Sequence, residues 1–329
     1  MTVAVVILNW NGRALLEKFL PSVLCYSPQA AVYVVDNAST DDSVTMLKTD
    51  FPQVEVIELP FNGGYARGYN AALEQITADV YCLLNSDVEV TENWLANVPK
   101  WFADDAVGAV QPKILDYKHR EKFEYAGAAG GFIDKYGFPF CRGRIFDTIE
   151  TDNGQYDTEK TIFWASGACF FVRSAVFHRL NGFDTDFFAH QEEIDFCWRL
   201  HHLGKKVVFS PESVVYHIGG ATLPTDNPQK TYLNFRNSLF MLLKNLPQQG
   251  LYSTLFLRMV LDGIAGVRFA LQGKFWFTWA IVRAHFGFYK RFFAVKSKRT
   301  PGLFSSYYYI KSVVWAYFVK NKKFFNELN

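Results

Sequence analysis

Four short apolar runs, at residues 3–8, 32–35, 54–58 and 80–84, recur through the first part of the chain. Each is followed by a stretch with helical spacing, at about 13–25, 41–49, 65–77 and 91–103. Strands and helices alternating in this way bury their apolar faces as a mostly parallel sheet with helices on both sides. Ligands of such sheets bind beyond the carboxyl ends of the strands. That rule singles out Asn9-Trp10-Asn11-Gly12, Asp36-Asn37 and Asn85-Ser86-Asp87, because each directly follows a strand. Residues 111–160 mix glycine, aromatic and charged residues without a period and read as a long loop or β-ribbon. Beyond them come an apolar run at 168–172, a helical stretch near 192–203 and a strand near 206–209.

A carboxylate at the tip of an apolar strand, as at Asp87, is placed to hold a hard cation that takes oxygen ligands and bridges phosphates. Asp36 opens Asp-Asn-Ala-Ser-Thr-Asp-Asp, in which Thr40 or Asp41 can cap the next helix; capping does not need Asp36 at the strand tip. Asn62-Gly63-Gly64-Tyr65-Ala66-Arg67-Gly68 is a glycine-rich loop entering a helix, with a cation one turn in. Such a loop approaches a nucleotide closely and turns backbone N–H groups toward anions. In Glu192-Glu193-Ile194-Asp195, three acids fall at the start of a helix. The helix dipole accounts for one of them, but not for all three.

In order and wording these segments resemble family 2 glycosyltransferases, most of all the rhamnosyltransferase-like branch. The resemblance is carried by Val-Ile-Leu-Asn-Trp-Asn-Gly (6–12), Val-Val-Asp-Asn-Ala-Ser-Thr (34–40), Asn-Gly-Gly-Tyr-Ala-Arg-Gly-Tyr-Asn (62–70) and Leu-Asn-Ser-Asp-Val (84–88). It continues through Ser-Gly-Ala-Cys-Phe-Phe-Val-Arg (166–173), the segment 187–200 and Val-Tyr-His-Ile-Gly-Gly (215–220), and so covers roughly 1–240. It implies the A-type glycosyltransferase fold, Rossmann-like, with a nucleotide-diphosphate sugar donor (dTDP- or UDP-sugar), Mn²⁺ or Mg²⁺, and inversion at the anomeric carbon. Asn9, Trp10 and Asp36, with Arg67 beside them, would then hold base and ribose. Asn85 and Asp87 stand at the family's Asp-x-Asp motif. The amide at Asn85 leaves Asp87 as the metal ligand and restricts Asn85 to the ribose or a metal-bound water. His217 falls where a histidine often completes the metal or diphosphate site; otherwise it is a core histidine donating to a backbone carbonyl. Where the family usually has Glu-Asp-x-Asp, this chain has Glu192-Glu193-Ile194-Asp195. Glu193 takes the general-base position, Glu192 touches acceptor or sugar hydroxyls, and Asp195 anchors the preceding loop.

The chain has 329 residues, of which 50% are hydrophobic and 20% charged; that excludes general disorder and allows a large α/β domain with an appendage. Its net charge of +2 hides a division. From residue 244 onward, 14 Lys and Arg face only Asp262 and Glu327, a net of +12; the 20 basic and 30 acidic residues before it give −10. The expected division is therefore a catalytic domain over 1–243 and a basic, aromatic-rich C-terminal amphipathic helical region over 244–329. In residues 251–271 the charges Arg258, Asp262 and Arg268 interrupt any membrane span, and with Gln272 they fall on one arc of a helix. Phe275-Trp276-Phe277-Thr278-Trp279 follows, then the cluster Lys290, Arg291, Lys296, Lys298 and Arg299. This pattern suits a membrane surface met through 250–325, rather than nucleic acid. An ordinary helical subdomain packed on the catalytic body is the competing reading.

Five scattered cysteines without a CxxC spacing suggest reduced thiols, and no basic n-region precedes the first strand, so no signal peptide is expected. The expectation that results is a cytoplasmic enzyme, peripheral on the inner face of the membrane, transferring a sugar such as rhamnose to a lipid-linked glycan for a surface polysaccharide. A sugar nucleotidyltransferase, or a sugar-nucleotide-binding protein without activity, are the alternatives. The former and NAD-dependent enzymes ordinarily show a glycine-rich turn after the first strand, which Asn9-Trp10-Asn11-Gly12 does not.

Overall fold

A computed structural model describes residues 1–219, 227–299, 304 and 306–328. The alternating apolar runs form β1 (Val3–Asn9), β2 (Ala31–Asp36), β3 (Glu55–Glu58) and β4 (Val80–Asn85). Between them lie α1 (Arg13–Tyr26), α2 (Ser43–Asp50) and α3 (Gly64–Leu73). After β5 (Val88–Val90) the helix expected over 91–103 shrinks to α4 (Val98–Phe102). Asn93 takes a left-handed φ of 61°, which breaks a helix started earlier, and Pro99 occupies the first turn, where its missing N–H costs nothing.

The segment 111–160 is more ordered than its composition suggests. Most of β6 (Val107–Asp116) is buried, including two polar side chains that hide its strand character from a hydrophobicity reading. Gln111 donates to Gly127 O and accepts from Ser166 N, and Lys113 is held between Asp152 and Asp157. Next come β7 (Gly131–Ile133), β8 (Pro139–Cys141), β9 (Arg144–Ile145) and β10 (Thr148–Ile149), a separate four-stranded antiparallel sheet. Then follow β11 (Lys160–Ile162), β12 (Cys169–Arg173), α5 (Ser174–Arg179), α6 (Glu192–His202) and β13 (Lys206–His217).

The main sheet runs β11-β13-β6-β12-β4-β1-β2-β3, with β5 paired to β13. β1, β2, β3 and β4 are mutually parallel, as are β6 and β13, while β12 inserts antiparallel between β4 and β6. Two apolar cores cover its faces. The register aligns Asn9 with Asp36 and Leu8 with Asn85, so these strand tips share one edge of the sheet.

The chain ends in α7 (Pro228–Asn245), α8 (Leu251–Leu271), α9 (Phe275–Ser297), α10 (Val313–Phe318) and a 3₁₀ turn (Phe325–Leu328). The division expected after residue 243 falls inside α7. Lys244 and Asn245, at its end, reach Asp195 of α6 at 2.8 Å each. The last residues also return to the body: Tyr309 N donates to Ile133 O, and Phe325 packs against Phe132 and Phe140. Apolar residues of these helices, such as Phe240, Phe288 and Phe325, join the core of the body, and opposite charges add to the docking. Arg291 pairs with Asp186, Lys298 with Asp184 and Asp186, and Lys244 with Asp184. Part of the basic excess after 244 is thus matched by acids of the body, and is unavailable to an external anion.

Candidate active site

At the tips of β1 and β2, Asn9 and Asp36 are both buried and bind each other, Asn9 Nδ2 lying 3.2 Å from Asp36 Oδ1. Asp36 also accepts from Ser39 N, and Asn9 Nδ2 lies 3.3 Å from Ser39 Oγ. These two polar side chains therefore hold the strand tips and the 37–40 turn in shape. Trp10 and Arg67 of the expected base site are exposed, and Arg67 lies over the exposed ring of Phe61 at 5.6 Å. Their apolar and cationic faces remain open to a ligand.

Asn37, directly after β2, clamps the glycine-rich loop. Its side chain donates to Asn62 Oδ1 and Gly64 O and accepts from Gly63 N. Gly64 is required there: its φ is +73°, and a Cβ would stand 2.6 Å from Phe188 O. The loop thereby packs directly on the 187–191 segment that leads into the acid pair.

That segment is strained. Phe188, His190 and Gln191 have φ of 65°, 70° and 73°. Such conformations persist only where the surroundings enforce them. Here α7 does so: Asn237 Nδ2 lies within hydrogen-bonding reach of Phe187 O, Ala189 O and His190 O, and Arg236 donates to Asp186 O and Phe187 O. Asp195 braces α6 behind them, accepting from Arg199, Lys244 and Asn245. Asp195 thus sits in a buried ion-pair network that ties α6 to α7. Asp195→Ala is expected to cost about 3–5 kcal/mol, because Lys244 and Arg199 lose their shared buried partner. Urea unfolding checks this; a loss under about 1 kcal/mol would mean the cations find water.

The two glutamates in front of this brace differ. Glu192 is buried with Oε2 unpartnered, and burial, with the neighbouring Glu193 charge, pushes its carboxyl well above the usual range. Glu193 is only half-buried, its Oε2 is also unpartnered, and burial raises its carboxyl to about 7 against the opposing pull of backbone N–H groups. A base titrating near neutrality, with a free oxygen, suits proton abstraction. Tyr65 of the glycine-rich loop is electrostatically coupled to both acids and donates to Gly167 O at 2.9 Å. Next to Gly167, Ala168 O accepts from Asn85 N. The Ser-Gly-Ala turn before β12 therefore ties the glycine-rich loop to the Asn85-Ser86-Asp87 turn.

Across that turn, β5 pairs with the end of β13, placing His217 opposite Val88. Among the described residues His217 lies between carboxylates and donates to no backbone carbonyl. Nε2 is 3.1 Å from Asp87 Oδ1, and Nδ1 is 3.3 Å from Glu124 Oε1, although not aligned as a hydrogen bond. Burial alone would lower its pKa, but Glu124 and Asp87 outweigh this and raise it to about 10. Glu124 belongs to the aperiodic segment and carried no sequence signal; only tertiary contact reveals it. Among the described residues no three His, Cys, Asp or Glu side chains form a ready-made metal cage. Asp87 and His217 place an oxygen and a nitrogen 3.1 Å apart, and His217 would have to give up a proton before its nitrogen could bind a cation. Asn85 is half-buried at the same turn.

A parallel nucleotide-binding half, an antiparallel insertion and acids at the strand tips define a glycosyltransferase of the A-type fold. The chain belongs to glycosyl transferase family 2, whose family model matches residues 4–180. It is 26% identical over 236 residues to the N-acetylglucosaminyl-diphospho-decaprenol L-rhamnosyltransferase of Mycobacterium tuberculosis, covering 65% of this chain and 75% of that protein. Among solved structures it resembles S. aureus TarS 1–349 in complex with UDP-GlcNAc (TM-score 0.58, 16% identity, 91% of this chain and 84% of that one). It also resembles the mannosyltransferase PcManGT of Pyrobaculum calidifontis in complex with GDP-Man and Mn²⁺ (TM-score 0.53, 15% identity, 87% and 86%).

Proposed function

We propose that this glycosyltransferase moves a sugar, rhamnose from dTDP-rhamnose being the leading candidate, from a nucleoside-diphosphate donor onto a hydroxyl of a lipid-linked glycan, with inversion. The observation that carries the chemistry is Glu193: a half-buried carboxylate with an unpartnered oxygen, raised to about 7, in the first turn of α6 directly after a strained loop packed against the glycine-rich turn. The name of the mycobacterial relative supports the sugar and the lipid diphosphate acceptor.

In this reading Glu193 takes the acceptor proton while the acceptor oxygen bonds to the anomeric carbon. The bond from that carbon to the donor phosphate oxygen breaks on the opposite face, and the nucleoside diphosphate leaves. Glu192, kept protonated by burial, donates to a sugar or acceptor hydroxyl. Asp87 and His217 would hold a divalent cation, Mn²⁺ or Mg²⁺, with Glu124 orienting His217. That cation, when bound, supplies Lewis acidity to the departing diphosphate. Asn85 is left to the ribose or a bound water. Trp10 and Arg67 contact the nucleotide, and Asn9 and Asp36 keep its strand tips in place. A lipid-linked acceptor sets the enzyme at the cytoplasmic face of the membrane, peripheral to it.

A thermal-shift screen of UDP-, dTDP- and GDP-sugars with Mn²⁺ or Mg²⁺ tests this, because a ligand of the native state raises Tm. One donor class should do so in a metal-dependent way and be slowly hydrolysed. No shift and no hydrolysis with any of them would sink the proposal.

A further inference from the structure

The N-terminal part of the amphipathic helix α8 is turned inside out, while Arg268 and Gln272, on the same arc further along, stay exposed. The polar arc over Arg258 and Asp262 does not face solvent: these residues are 3% and 0% exposed. They pair with each other at 2.8 Å, and Arg258 donates to Tyr136 O and lies over the Phe138 ring. His285 of α9 approaches the same Asp262 at 3.4 Å. The outward face is the apolar one. On α8 it comprises Phe256, Val260, Ile264, Val267 and Leu271, between 45% and 85% exposed. The antiparallel partner α9 shows a matching stripe of Phe275, Trp279, Val282, Phe286, Tyr289 and Phe293, beside Trp276 at 75%. A furrow of about 460 Å³ lined by Val267, Leu271, Phe275 and Val282 joins the two stripes.

An apolar face this continuous on a folded chain is an interaction surface. We infer that the α8–α9 hairpin is a shallow insertion surface for an anionic lipid leaflet, entering with its aromatic stripes while its buried polar arc holds it to the catalytic body. Charge chooses lipid over a second copy of the chain. The only acid on these helices is Asp262, buried and already paired, whereas Arg268, Lys274, Arg283, Lys290 and Lys296 are exposed around the stripes. Two copies placed face to face would oppose cation to cation, while phosphate headgroups complement them. Among the described residues no helix is long and apolar enough to cross a membrane, so the hairpin lies in the interface.

This surface rests on the membrane placement proposed above and not on the sugar chemistry, and the test separates the two. Full-length protein is sedimented with phosphatidylcholine vesicles, with and without phosphatidylglycerol. It should bind the anionic vesicles, and concentrated salt should release it only in part. Trp276→Asp combined with Phe286→Asp should weaken binding by about 100-fold, at roughly tenfold for each aromatic kept in water. Both sites are solvent-exposed, so donor hydrolysis and circular dichroism should match the unsubstituted protein. Lys274→Glu with Lys290→Glu should remove only the preference for anionic lipid. Unsubstituted protein remaining in solution with anionic vesicles would overturn the inference, as would undiminished binding by the Asp variant. So would light scattering that finds a dimer which the Asp variant dissociates.

Discussion

Glu193→Gln should lower turnover by about two to four decades while leaving donor affinity nearly unchanged. The amide keeps the shape of the side chain and removes only its ability to take a proton. Burial raises the Glu193 carboxyl from the ordinary 4.5 to about 7. Turnover of the unsubstituted enzyme should therefore climb as pH rises through about 7 and level off above it, and this limb should vanish in the variant. Stability moves oppositely. The folded protein binds this proton more tightly than the unfolded chain does, so the contribution is complete below about 4.5 and is lost as pH rises through about 7. At pH 8 the glutamine variant should accordingly be more stable than the parent, by on the order of 1 kcal/mol. Glu192→Gln serves as the control, since that carboxyl is already held neutral by its burial. A Glu193 variant with near-normal turnover, alongside an inactive Glu192 variant, would move the base by one residue.

Asp87→Ala should remove metal-dependent donor binding, a loss of at least about 100-fold measured by calorimetry with Mn²⁺. Asn85→Ala should cost about tenfold or less, because a neutral amide is a poor ligand for a hard cation. Glu124→Gln should fall between them, at about 10- to 100-fold, as expected for a group that orients a ligand without being one. The ordering follows from position. Asp87 and His217 meet at 3.1 Å, and Glu124 touches only the far nitrogen of the imidazole. Equal losses from Asp87→Ala and Asn85→Ala would refute this division of roles.

Those residues differ in how visible they were before folding. Asn9, Asp36, Asn85 and Asp87 could be found because each ends or directly follows an apolar strand, and parallel sheets bring such tips together. Glu192 and Glu193 could be found because three acids at one helix start exceed what a dipole needs. Glu124 and Asn237 were invisible for the opposite reason: each stands in a segment of ordinary composition and acts on a residue at least 47 positions away. The strand β6 was obscured because Gln111 and Lys113 interrupt its apolar run, although both are satisfied once buried.

The C-terminal helices show where local pattern stops being sufficient. Amphipathicity of 251–271 was written in its residues, since the 3.6-residue period alone places Arg258 and Asp262 on one arc. Which arc faces water was not. That depended on Arg258 reaching Tyr136 O and His285 approaching Asp262, contacts that exist only after α8 and α9 dock on the body. The charge division behaved likewise: counting showed an acidic body and a basic end, and only the fold showed Lys244, Arg291 and Lys298 spending their charge on Asp184, Asp186 and Asp195. Periodicity and strand-tip chemistry are properties of neighbours along the chain, so sequence alone determined the parallel strands of the first half, the edge where their tips meet and the polar residues upon it. Partnership is a property of neighbours in space, so tertiary structure alone decided which polar groups are consumed inside and which apolar face is left outside.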